Sequence, residues 1–176
     1  MKTLTSVLAA STTPESPPAA VAEARTVAPL LVGSIEAVAR SRLLTVSPDS
    51  QLVEVAALLS EAQISTVVVC DAGGAPLGTI TETILIKHLG LGQANFFTTR
   101  AGEVMTRGFT TCAPEDLLSD VLTMMHARGL IHVLLVRSDG KLLGVVNSRD
   151  GLRALLAAGN HEEALLRDYV MGVGYQ

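Results

Sequence analysis

The chain has 176 residues, 48% of them hydrophobic and 17% charged, a balance that suits strands buried on both faces, in one body or in two half-domains sharing a core. A formal net charge of -4, no Trp and only 3% aromatic residues leave neither a basic track for phosphates nor stacking platforms for bases, which excludes nucleic acid as a partner. Thr, Ser, Asp, Glu or Gly interrupts every apolar stretch short of the roughly 18 residues that cross a bilayer, so no membrane partner is expected.

Residues 1–33 read as a flexible tail. Lys2 and the short apolar run from Val7 to Ala10 are too broken for a signal peptide, and Ser11 to Thr26 is an Ala, Pro, Ser, Thr and Glu segment that buries too little to offset its ordering entropy. From there a repeat organises the chain: at one constant offset Pro48 falls on Pro114, Thr66 on His132, Gly78 on Gly144 and Thr81 on Asn147. In each copy a short strand precedes a helix expected to start near 48 or 114, with proline at its first turn and Ser47 capping the first. Leu52, Val55, Leu58 and Leu59 overlie Leu118, Val121, Met124 and Met125 as one apolar helix face.

Buried strands follow at Thr66 to Cys70 and His132 to Val136, then turns carrying Gly73-Gly74 and Asp139-Gly140, then strands at Leu77 to Thr81 and Leu142 to Val146. A second helix begins after each, capped by Thr81 or Asn147. The expected architecture is α/β (α+β): an internally duplicated pair, two small sheets flanked by helices, related by a pseudo-two-fold. Its divisions are 34–90, a linker at 91–103, and 104–158. A last helix at 159–176, capped by Asn160 with Glu163 three residues on, presents Leu165, Leu166, Tyr169 and Val170, a face that either folds back on its own domain or meets a second copy. Cys70 and Cys112 lack CxxC spacing and read as buried free thiols of a reducing, cytoplasmic compartment.

The strings Val104-Met105-Thr106, Gly129-Leu130-Ile131-His132, Asp139-Gly140-Lys141-Leu142-Leu143-Gly144-Val145-Val146 and Ser148-Arg149-Asp150, in this order and within a duplication, resemble the cystathionine β-synthase (CBS) domain family. The resemblance runs from about Ser41 to Leu156 and is stronger in the second copy; two such domains form a Bateman module, and small stand-alone bacterial two-domain proteins look similar. It implies a cleft that takes an adenosine-containing ligand (AMP, ADP, ATP or S-adenosylmethionine), a homodimer, and an unidentified effector protein, with no cofactor required. It also implies roles by position. Asp150 matches the ribose-binding aspartate, Asn147 stands at the usual Ser or Thr near phosphate, Arg149 lies beside that position, and Thr111, His132 and Val133 match positions whose backbone or side chains line the adenine pocket.

The residues allow another reading of the same site: Asn147 and Asp150 stand at N-cap and N3, where their side chains would cap their own helix. In the first copy the matching residues are Thr81, Glu82, Thr83 and Ile84, so an isoleucine that accepts no hydrogen bond replaces the carboxylate and that half-site is expected to be degenerate. His88, His126, His132 and His161 show no metal-ligand spacing, and GxSxG, Walker and complete GxGxxG motifs are lacking, so no enzyme and no metal site is expected. Two functions stay open: a nucleotide-binding regulatory sensor, and a ligand-free interaction or dimerisation module with vestigial pockets.

Overall fold

The computed structural model describes residues 29–90 and 95–159. Residues 1–28 of the expected tail and the expected helix from Asn160 onward lie outside the described residues. A short 3-10 turn, Val32–Ile35, leads into α1 (Glu36–Ser41). The first copy continues as β1 (Thr45–Val46), α2 (Leu52–Ala62), β2 (Thr66–Cys70), β3 (Pro76–Thr81) and α3 (Glu82–Gly90). The second runs α4 (Ala101–Val104), β4 (Thr111–Cys112), α5 (Leu118–Ala127), β5 (His132–Val136), β6 (Leu142–Asn147) and α6, helical over 148–159.

Each copy builds one three-stranded sheet, ordered β1-β2-β3 or β4-β5-β6. The helix crossover makes β1 parallel to β2 and β4 parallel to β5, whereas the glycine turns make β2–β3 and β5–β6 antiparallel hairpins. Gly74 and Gly140 take φ of 83° and 84° at the hairpin tips, where a Cβ would be strained. The duplication extends to irregularities, with the register shifting between Val69 and Cys70 in one sheet and between Leu135 and Val136 in the other.

Strand alternation distributes the apolar side chains. Val67 and Val69 face a core with Leu52, Val55, Leu59 and Ile80, while Val133 and Leu135 face a core with Leu118, Val121, Met125 and Val146. The opposite faces, Val68 and Cys70 against Leu134 and Val145, meet in a third cluster that joins the two sheets. Burial on both faces is why these strands read as continuous apolar runs.

The two copies also exchange their leading segments. Val32, Ile35 and Ala39, from the leading segment of the first copy, complete the core of the second; Phe96, Ala101 and Met105, from the leading segment of the second, complete the core of the first. The tail expected through residue 33 therefore gives way to packing before that point: Val32 is fully buried, and its N–H donates to the Asp116 carbonyl. Part of the expected 91–103 linker likewise belongs to the first core.

The same exchange moves the helix starts. The expected starts at Pro48 and Pro114 are turns, closed by Ser50 N–H to the Ser47 carbonyl at 3.1 Å and Asp116 N–H to the Ala113 carbonyl at 3.2 Å. The helices begin at Leu52 and Leu118, whose N–H groups donate to the Thr99 and Leu30 carbonyls in the swapped segments. Ser47, expected as a cap, instead accepts the Asp49 N–H. An orphan donor of a helix end is satisfied here by tertiary partners, which a local capping rule does not see.

Candidate functional site

The sheets meet so that the start of α3 faces the segment before β4, and the start of α6 faces the segment before β1. Two adjoining chambers result. One, about 470 Å³, is lined by Thr66, Thr79, Thr81, Glu82, Thr83, Ile84, Thr106, Phe109, Thr110, His132 and Leu134 among others. The second, about 480 Å³, is lined by Arg42, Gln63, Asn147, Ser148 and Arg149. Ser65, Glu82 and Ile131 border both, so the chambers share a wall. Each falls within the roughly 300–1,000 Å³ of small-molecule sites. Their chemistry differs: the first combines aliphatic and aromatic walls with hydroxyls, and the second holds two guanidinium groups.

Asp150 is only 9% exposed, and Arg42 holds both of its oxygens, Nε meeting Oδ2 and Nη2 meeting Oδ1 at 3.0 Å. Arg42 is the C-cap residue of α1, so the segment that packs α1 on the second copy also delivers the guanidinium. The expected capping box is thus half present. Asn147 Oδ1 accepts the Arg149 N–H at 2.9 Å and caps α6, whereas Asp150 turns to Arg42.

That cap fixes the amide orientation of Asn147, leaving its Nδ2 to donate to His132 Nε2 at 3.2 Å; the Ser65 hydroxyl stands at the same distance from Nε2. An amide nitrogen only donates, so Nε2 accepts and the ring proton belongs on Nδ1. Burial, and after it the positive charge of Arg42, push His132 below its ordinary 6.5, consistent with a neutral imidazole. Ser65 from the first copy and His132 with Asn147 from the second form a polar link across the cleft.

Of the residues expected from sequence, Thr81 and His132 line the first chamber, and Asn147 and Arg149 line the second, with Asp150 just behind Arg42. The side chains of Thr111 and Val133 do not line either chamber. Val133 is buried in the second core, and Thr111 borders a separate depression of about 230 Å³ beside Asp116 and Asp120. Their strand neighbours Thr110 and Leu134 occupy the cleft instead, because successive side chains alternate sides. The half-site expected to be degenerate, around Ile84, is a chamber of about the same volume as the other, whose carboxylate Arg42 engages. Sequence reasoning missed Arg42 and Ser65. Nothing local to Arg42 marks it.

Among the described residues no group of three or more His, Cys, Asp or Glu could hold a metal ion, and no helix is long and apolar enough to cross a membrane. These features define a class: an internally duplicated α/β pair with exchanged leading segments and a ligand-sized cleft between the copies. The chain belongs to the CBS domain family, whose pattern matches residues 32–91 and 101–157, and it is a tandem pair of such domains. It is 26% identical over 140 residues to an uncharacterized 17.7 kDa protein of Acidianus ambivalens, covering 80% of this chain and 84% of that protein. A CBS-domain containing protein from Agrobacterium tumefaciens superposes with TM-score 0.58 at 28% identity, covering 64% of this chain and 83% of that one. The CBS-pair protein CBSX2 from Arabidopsis thaliana superposes with TM-score 0.66 at 20% identity over 76% of this chain and 99% of that one, and its structure in complex with AMP is similar too, at TM-score 0.60.

Proposed function

We propose that this protein is a non-enzymatic, cytoplasmic regulatory module that binds an adenosine-containing nucleotide in the cleft and passes the state of the cleft to a second copy of itself or to an effector protein. The observation that carries this reading is the pair of adjoining chambers with divided chemistry. A flat base suits the aliphatic and hydroxyl-lined chamber, and a phosphate suits the one holding Arg42 and Arg149. The AMP complex of the Arabidopsis pair supports the ligand class. Output through a homodimer is favoured by exposed apolar side chains on two equivalent helices, Ile86 and Leu89 on α3 and Leu152 and Leu156 on α6.

Thermal unfolding with AMP, ADP, ATP and S-adenosylmethionine tests the reading. Ligand at a hundredfold its Kd adds about 2.7 kcal/mol, or roughly 5 to 10 °C. Ile131→Glu, at an exposed residue on the shared wall, places a negative charge beside the phosphate and abolishes the shift without changing the unliganded Tm. No shift with any of the four compounds favours the second reading, a ligand-free interaction module, whose supporting observation is that Ile84 replaces one carboxylate and Arg42 holds the other.

A further inference from the structure

Asp150 and Arg42 act as one unit. The carboxylate is shut away from water, while the side chain of Arg42 is 32% exposed and reaches the chamber that also holds Arg149, Asn147 and Ser148. A guanidinium carries five N–H donors in a fixed fork, so the two spent on Asp150 leave others for that chamber. The two roles compete, because a second anion drawn to the guanidinium weakens its hold on the first.

The duplication shows that the fold does not require this pair. Arg42 stands three residues before β1, and the residue three before β4 is Gly108; Asp150 stands three residues after the last residue of β6, and the residue three after β3 is Ile84. Both charged members are therefore absent together from the other half-site, at the start of α3. Where the carboxylate is missing the guanidinium is missing also, as expected of two groups that serve each other.

We propose that Arg42 is the specificity-determining residue of the cleft: it covers Asp150 and yields it to ribose hydroxyls only when the ligand brings an anionic group of its own to take the place of the carboxylate. The site then accepts a phosphorylated adenosine compound and discriminates against the neutral nucleoside. This rests on the nucleotide reading above and adds the chemical condition for entry. It also gives the copies a reason to respond, since Arg42 is tied to α1 and Asp150 to α6, and shifting the pair loosens the contact between them.

Calorimetric titration of adenosine and AMP into the wild type, Arg42→Ala and Arg42→Gln separates the possibilities, the glutamine variant serving if the alanine variant does not fold. The wild type is expected to bind AMP roughly 10- to 100-fold more tightly than adenosine, the range of one charge-assisted contact. Either Arg42 variant brings the two compounds within about threefold of each other, and does so partly by binding adenosine more tightly than the wild type. A gain of affinity on removing a side chain is not a result that structural damage produces. Variants that keep the wild-type preference, or lose AMP with no gain for adenosine, overturn the role of Arg42 and leave the nucleotide reading standing. Binding of neither compound to the wild type or to the variants overturns the nucleotide reading, and the role of Arg42 with it.

Discussion

Gly144→Ala tests the exchange of leading segments directly. A methyl group on Gly144 of β6 would stand 2.5 Å from the carbonyl carbon of Ala39, 2.7 Å from its oxygen and 2.8 Å from the nitrogen of Arg40. These are backbone atoms of α1 and cannot rotate aside, so relief requires the whole helix to lift from the sheet. Lifting it withdraws Ile35 and Ala39 from the second core and Arg42 from Asp150. Overpacking costs about 1–3 kcal/mol in general, and with backbone on the far side a value of about 3 kcal/mol is expected. That is a fall of roughly 6 to 12 °C in Tm for a chain of this size. Urea denaturation with an unchanged m value gives the number, and Gly90→Ala, where nothing lies within 4 Å, should change stability by no more than about 1 kcal/mol and in the stabilising direction. A Gly144→Ala protein within about 0.5 kcal/mol of the wild type is what an ordinary surface substitution gives, and it would refute the close packing of α1 on β6.

Other expectations follow from the cleft and the cores. Asp150→Ala leaves Arg42 unpaired; because Arg42 is about a third exposed, the cost should be about 2 kcal/mol rather than the 3–5 of a fully buried pair, and a double-mutant cycle with Arg42→Ala should return a coupling of about 1–2 kcal/mol, additivity arguing that the pair does not form in solution. His132 has a lowered pKa when folded, so the unfolded chain binds the extra proton first: its contribution is complete above the ordinary 6.5 and is lost as pH falls through the lower folded value. His132→Gln should flatten stability measured between pH 7.5 and 5, and an unchanged slope would count against the buried neutral ring. Burial, with Asp116 adding to it, pushes the Cys112 thiol up to about 12, and burial also raises Cys70. A thiol reagent at neutral pH should therefore meet neither cysteine until denaturant is added, and rapid native labelling of Cys112 would contradict its place in the second core.

How much of this was legible in the sequence differs by element. The β2–β3 and β5–β6 hairpins were legible because their signals are local: β-branched apolar runs, then glycines at turns that need positive φ. The caps divided. Asn147 bonds to an N–H two residues away and was found; Pro48 and Pro114 misplaced two helix starts because the carbonyls that receive the Leu52 and Leu118 N–H groups come from Thr99 and Leu30. Within the site, Thr81 was placed by its position in the repeat and Asn147 and His132 by the family resemblance, and all three line the chambers; the side chains of Thr111 and Val133, one residue along from Thr110 and Leu134, turn away from them.

The sequence by itself determined the duplication, the strand and helix order within each copy and the burial of both strand faces, since these follow from periodicity and near-neighbour bonding along the chain. Only the tertiary structure decided which segment completes which core, that Gly144 lies against the backbone of α1, and that Asp150 has a partner 108 positions away. The physical reason is range. Local preferences act over a turn of helix or a pair of strands, but a carboxylate's partner is chosen by whichever charge the packed cores carry to it, and here the packing of Ile35 and Ala39 carries Arg42.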